Sequence, residues 1–568
     1  MTEPVASPTA PDASPSPPLV ARHVRQILFW PLQLMPTAAG EMGVERHWEN
    51  LDRCVGPNPW AELQDEFTAD PAEFQERHYR EFTTFLPHVQ RFLYGQGRSS
   101  ASRVGYGESP IRIFRRSDVA ACRMTYADGG QVRFEVRHVD LYFFFDIDIV
   151  VLVLELFADD LPLERVHETL YRFGRAFPTG WDADGHANAC MRRVEWLDAA
   201  GATLAESDMD DRAGFLAFTG RHRATRIGAH WTHLLRPMVQ HHSDEPGPVR
   251  YRQIEYHRMP KLTFLSFDDP FALTDRDFVR LAVASGSGER DLPYSDETVR
   301  SIVADSFYDR FWNPVRRDRR ASTRLTCTGH AMTMVGQAGS PLFDDIETGL
   351  LGQFRHQYFL VALIAHFHTA ALLMLSDRLI TAVSRLDPND VESQRRFRDQ
   401  IRRTRAVFLR FNHRYWFHEV SNQSMAKDLF EMWSRHLGND ALFDEVREEV
   451  LDMGQYLDSD DTRRQGEAVL RLTVVTILGL IGTIATGFLG MNLIAEAEQP
   501  LPVKIAFFFM VLTPTIVLTL FTVRYSHALS ALLDALGDET AGPLSARLRT
   551  MRRIVAGRRA SARGRLPD

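Results

Sequence analysis

Residues 472–495, LTVVTILGLIGTIATGFLGMNLIA, run for 24 positions without a charge between Arg471 and Glu496. After the connector EAEQPLPVK (496–504), a second run, IAFFFMVLTPTIVLTLFTV, fills the 19 positions between Lys504 and Arg524 without a charge. A helix needs about 20 apolar residues to cross ~30 Å of hydrocarbon, because lipid offers no partner for an unbonded backbone group. Both runs reach that length, and the connector is short and weakly acidic. The stretch reads as a helical hairpin: a first transmembrane helix over 468–492, an outer loop over 493–503 and a second transmembrane helix over 504–524. The alternative is a pair of core helices in a soluble protein, but two charge-free runs of this length so close together are rare in soluble folds.

A hairpin returns the chain to the side it left. Beyond it the tail (525–568) carries Arg547, Arg549, Arg552, Arg553, Arg558, Arg559, Arg563 and Arg565, and Asp568 is the only acid after Arg547. The excess of arginine places the tail in the cytoplasm, and the large N-terminal region with it. The expected setting is a bacterial inner membrane, crossed twice, with both termini inside.

On the N-terminal side of the hairpin, Phe443, Val446, Val450, Met453 and Leu457 follow one another at spacings of 3, 4, 3 and 4, the seam of a helix packed on helices. No proline occurs between Asp440 and Gly490. A stalk helix over 439–467 is therefore expected to continue into the first span, roughly 75 Å in all at ~1.5 Å per residue. A lone rod of that length is unstable, so copies should bundle into a homo-oligomer with the first span at the centre. The stalk is acidic: Asp440, Asp444, Glu445, Glu448, Glu449, Asp452, Asp458, Asp460 and Asp461 crowd it, with Arg447 the one base in that interval.

The 568 residues imply two to four units, and 25 % charged with 44 % hydrophobic residues is a globular balance. A net charge of −8 argues against nucleic acid as a partner; lysine occurs only at Lys261, Lys427 and Lys504, an arginine bias read as genomic composition. Cys54, Cys122, Cys190 and Cys327 form no C-x-x-C pair, which fits a reducing compartment. Residues 1–20 are rich in Pro, Ala and Ser without an apolar core, so they read as a disordered leader and not a signal peptide.

Residues 21–342 alternate β-rich and helical patterns, as a mixed α/β cytoplasmic domain does. Strands are expected at 132–147, 151–158, 251–258, 261–267 and 323–335, with helices at 163–177, 275–284 and 296–312. Residues 343–438 read as a cytoplasmic helical region broken at Asp387-Pro388-Asn389-Asp390. Its run 358–376 has the length of a span, but it carries His366 and His368, and a third crossing would separate the N-terminal region from the tail. It reads as a buried helix whose two histidines are satisfied core groups. The run 395–414, RRFRDQIRRTRAVFLRFNHR, is strongly basic and reads as a solvated helix face, ahead of a site for lipid or an acidic partner. The fold class is an α+β membrane protein: a mixed α/β cytoplasmic domain, then a long stalk helix continuous with the first of two C-terminal transmembrane helices.

At the outer end of the first span stand Gly490, Met491 and Asn492. A Gly-Met-Asn at this place, after a long helix and a large N-terminal domain and before a second span, resembles the CorA family of magnesium channels. The resemblance covers about residues 421–524. It implies a pentamer with Gly490, Met491 and Asn492 as its selectivity filter, passing hydrated Mg²⁺ inward. The residues suit that task, because Mg²⁺ gives up water reluctantly and a conduit for it needs neutral oxygen dipoles that hold its waters. A glycine breaking the helix with Asn as its cap is the plainer reading.

Val469, Leu472, Thr476, Leu480, Thr483 and Gly487 fall on one stripe of the first span, at spacings of 3, 4, 4, 3 and 4. By resemblance they line the pore, with Leu472 and Leu480 at the places of the apolar constriction and Thr483 as a polar ring. An ordinary helix-helix seam explains the stripe equally well. Glu496 and Glu498 would gather cations at the outer mouth, although the Met-Pro-Glu-Leu usual in the family is missing. The resemblance also implies closure by intracellular Mg²⁺, for which Glu448, Glu449 and Asp452 are the candidate regulatory ligands beside a solvated-face reading.

No resident cofactor is needed: an inside-negative potential of 100 mV drives a divalent ion inward with about 4.6 kcal/mol. Zinc, cobalt or nickel transport, and a membrane-tethered sensor without conductance, are the alternatives; Gly-Met-Asn favours magnesium, since the zinc-transporting branch departs from it at the middle residue. His222, His230, His233, His241 and His242, with Asp244 and Glu245, match no established metal spacing and read as surface histidines. No Walker loop, dinucleotide fingerprint or catalytic constellation is present, so an enzyme is not expected.

Overall fold

The computed structural model describes residues 18–35, 46–52, 54, 58–63, 76–95, 110–254, 258–287, 292–315, 319–387, 390–490, 500–503, 505–510, 512–514, 516 and 517. The chain divides into two compact units, Met1–Leu451 and Asp452–Asp568.

The first unit is built on a mixed sheet. In chain order its strands are β1 (Val20–Met35), β2 (Trp60–Glu62), β3 (Ile111–Arg116), β4 (Ala121–Thr125), β5 (Gln131–Phe144), β6 (Ile149–Pro162), β7 (Arg193–Leu197), β8 (Thr203–Glu206), β9 (Val239–Gln240), β10 (Arg250–Gln253), β11 (Lys261–Phe267), β12 (Phe307–Phe311), β13 (Thr323–Cys327) and β14 (Ala331–Gln337). The main path is β12-β13-β14-β11-β1-β6-β5-β4-β7-β8. At its centre β1 and β6 pair antiparallel from Val20 opposite Pro162 to Gln33 opposite Ile149, and β11 lies antiparallel to β1 and parallel to β14. Central strands covered on both faces read as continuous apolar runs. That is why β6 begins IVVLVL and why all seven residues of β11 are buried.

Successive side chains of β1 show the two coverings. Phe29 stacks on Phe359 and His366 of the helix Phe359–Ser384, with ring centroids 5.5 Å away in each case. Leu28, on the other face, lies against Gly174, just past the helix Leu163–Arg172. A Cβ on Gly174 would come within 2.7 Å of Leu28 Cδ2, and its φ of +84° suits glycine. Beside it the buried Lys261 donates from Nζ to the carbonyl oxygens of Leu170 (2.6 Å) and Phe173 (2.9 Å). It thereby caps the C-terminal end of that helix, where backbone oxygens lack partners.

Among the described residues one helix is long and apolar enough to cross a membrane, Leu350–Ser384, and 89 % of its most apolar window is buried inside the protein. It holds the run 358–376 that the sequence assigns to the core. Two other apolar helices, Ala468–Ile477 and Leu501–Pro514, are shorter than a span as described.

Several expectations are corrected. The helix expected over 296–312 stops at Ser306, and Phe307–Phe311 becomes the edge strand β12 paired with β13, a place that suits aromatic residues better than a helix end does. The helix expected over 163–177 ends at Arg172, because Phe173 is extended and Gly174 is left-handed. The single run 323–335 is a hairpin, β13 and β14. Of the strand expected over 251–258, β10 holds the part up to Gln253, and Arg258 makes a single bridge with Arg175.

Candidate pore helix and its acidic approach

The helix Ser424–Leu437 ends at Gly438, whose φ of +69° breaks it, and the helix Asn439–Gly490 starts at the next residue. Asn439 is fully buried. Its Nδ2 donates to the Ala365 carbonyl (3.0 Å) and its Oδ1 accepts from Thr369 Oγ1 (2.6 Å). One turn on, Phe443 stacks on Trp416 with centroids 4.3 Å apart and on Phe408 at 5.8 Å. Val446 and Val450 are buried too. An amide bonded on both sides and an aromatic stack thus fix where the helix leaves the core of the first unit, and neither Asn439 nor Trp416 stood out in the sequence.

The acids of this segment lie on the other side of the helix. Asp440, Asp444, Glu445 and Glu448 are exposed, and Glu449 is half-buried. Burial pushes the Glu449 carboxyl above the usual carboxylate range and the neighbouring Glu445 charge adds to this, against a hydrogen bond with Ser376. Its Oε2 is buried without a hydrogen-bond partner. Asp452, already in the second unit, is exposed. Among the described residues no group of three or more His, Cys, Asp or Glu side chains is placed to hold a metal ion. Glu448, Glu449 and Asp452 are therefore neighbours along the chain that one copy does not gather into a ligand set.

In the second unit the proposed pore stripe lies open. Val469, Leu472 (67 % exposed), Thr476, Leu480 (59 % exposed), Thr483 and Gly487 are all exposed. Thr476 Oγ1 donates to the Leu472 carbonyl at 2.8 Å and Thr483 Oγ1 to the Gly479 carbonyl at 2.9 Å. A hydroxyl that spends its proton on its own helix keeps lone pairs that accept from water. Such oxygens can accept from the outward-pointing protons of a hydrated cation, while a helix seam asks no more of the same threonines than this internal bond. Further apolar side chains of this unit are exposed, among them Ile477, Leu501, Phe508 and Met510. Gly490 ends the helix with open space where a Cβ would sit. Met491, Asn492, Glu496 and Glu498 lie outside the described residues, as do the tail and most of the leader.

The histidine cluster changes character. His230 is buried, not superficial, and burial holds its imidazole down at about 3; His222, His233, His241 and His242 are half-buried. In the core helix, His368 donates from Nε2 to the Tyr415 carbonyl at 2.6 Å. His366, expected to be satisfied as well, has a buried Nδ1 without a partner among the described residues.

No protein-family model and no curated protein matches the sequence. Among solved structures the chain is similar to the CorA magnesium transporter from Methanocaldococcus jannaschii, at 13 % identity and a TM-score of 0.17, over 48 % of this chain and 93 % of that one.

Proposed function

We propose that the protein is a CorA-like channel that passes hydrated Mg²⁺ into the cytoplasm down its electrochemical gradient and closes when intracellular Mg²⁺ is high. The observation that carries this reading is the open apolar surface of the helix leading into Gly490-Met491-Asn492, continued by the apolar residues from Leu501 onward. Each large side chain left in water there forgoes about 1.5–3 kcal/mol. Lipid on one side and sister helices on the other would cover that surface.

In an oligomer, a pentamer by family resemblance, the stripe from Val469 to Gly487 lines the pore. Leu472 and Leu480 narrow it and Thr476 and Thr483 offer oxygens to the ion's water shell, while Asn492 and Gly490 form the filter and Glu496 and Glu498 gather cations at its mouth. Carboxylates at Glu448, Glu449 and Asp452, of which Glu448 and Asp452 are exposed, repel their copies in neighbouring subunits, and Mg²⁺ bound between them relieves the repulsion. The inner membrane is the expected location, with both termini in the cytoplasm.

Inhibition by internal Mg²⁺ tests the regulatory part. Glu448→Gln with Glu449→Gln should raise the Mg²⁺ concentration that half-closes the channel several-fold; an unchanged value removes both residues as sensors.

A further inference from the structure

The helix Val391–Arg414 buries Phe397, Ile401, Thr404, Val407, Phe408 and Phe411 and turns its basic side outward. Arg395, Arg396, Arg402, Arg403 and Arg405 are exposed. Arg396 faces Glu392 at 3.7 Å, and Arg410 and Arg414 hold Asp146 at 3.2 and 3.0 Å. Arg395 and Arg403 make no ion pair among the described residues.

On the neighbouring segment Asn439–Leu451, Asp440, Glu445 and Glu448 are exposed and likewise make no ion pair among the described residues. The two helices meet through Phe408 and Phe443. Their apolar sides therefore face each other and their charged sides turn away, which leaves both charged faces to another molecule. Arg395 and Arg403 are eight residues apart, and so are Asp440 and Glu448, a rise of about 12 Å on either helix.

We infer that the arginine face of Val391–Arg414 docks on the acidic face of Asn439–Leu451 in a second copy of the chain. This inference rests on the homo-oligomer of the proposed function and names the contact that sets its register. Charge and spacing both match within one sequence, and a head-to-tail contact of this kind builds a ring when the rotation between copies closes. An anionic lipid surface suits the arginines but repels the acids one helix away, so it fits the pair of faces less well.

The test uses the full chain in detergent, with association followed by native mass spectrometry and sedimentation at low and high salt. Arg395→Glu with Arg403→Glu should weaken association at low salt by about tenfold, as two exposed ion pairs per contact would. Asp440→Arg with Glu448→Arg should do the same, and all four substitutions in one chain should restore it. Association unaffected by either reversal overturns the inference, as does a fourfold variant no better than the reversals. Binding to phosphatidylserine vesicles that needs Arg395 and Arg403 while assembly does not would assign the face to lipid and also overturn it. Mg²⁺ flux measured alongside separates the two levels: an assembled, conducting wild type indifferent to the reversals removes this contact alone, whereas a monomeric, non-conducting wild type removes the channel reading beneath it.

Discussion

His368 shows what burial does to a single residue. It lies among Phe411, Trp416, Phe417 and Phe430, and burial lowers its imidazole from 6.5 to about 3, which outweighs the hydrogen bond to Tyr415 that pulls the other way. The unfolded chain binds this proton near pH 6.5 and the folded chain resists it, so the contribution to stability is complete above 6.5 and is lost as the pH falls toward 3. Acidification from pH 6.5 to 5 should cost the fold about 2 kcal/mol through this group. His368→Gln, which can still donate to Tyr415, should reduce the acid-induced drop in unfolding midpoint; an unchanged drop would mean that the imidazole is not neutral in the fold. Lys261→Met strands the Leu170 and Phe173 carbonyls inside the protein and should destabilise by about 2–4 kcal/mol in denaturant titration. A neutral result would show that removing a buried amine offsets both lost bonds. The sequence already placed His368 as a satisfied core group, but it could not assign the role of Lys261: a lysine at the head of an apolar strand shows no sign of the helix end it caps, because that end is supplied by a distant segment.

At the scale of elements, the seam on the long helix was legible from its 3-4 spacing, and Phe443, Val446 and Val450 are buried as a seam requires. Phe443→Ala removes the stack on Trp416 and Phe408 and should cost about 3–5 kcal/mol. Leu472→Ala touches an exposed side chain, so it should leave the unfolding midpoint of the first unit unchanged and alter ion flux instead. Equal effects of the two substitutions on that midpoint would contradict the division between anchored and open segments. Less legible were the ends of elements. Phe307–Phe311 carries a helical pattern on from Ser306, yet it pairs with β13, because the sheet edge offers backbone partners that local propensity cannot register. The hairpin of β13 and β14 was hidden for a related reason: both strands are buried almost throughout and show no alternation of exposed residues, and Thr328-Gly329-His330 is a weak turn signal.

For the whole molecule, composition and periodicity indicated a mixed α/β region, but the order of the strands was not readable. β1 pairs with β6 and β11, more than a hundred residues away in each case, and the apolar runs that make these strands core are alike enough to pair in many orders. The candidate site was legible from the other direction. Gly490-Met491-Asn492 and the charge-free runs around it stand out in the sequence, whereas the described residues supply only the open stripe that leads to them. The most direct test of the channel account is Mg²⁺ influx into liposomes holding the purified full chain, under an inside-negative potential and without internal Mg²⁺, with Asn492→Ala alongside. The account predicts influx in the wild type that the substitution abolishes or makes unselective. No influx, or influx that Asn492→Ala leaves intact and equally selective, would contradict it.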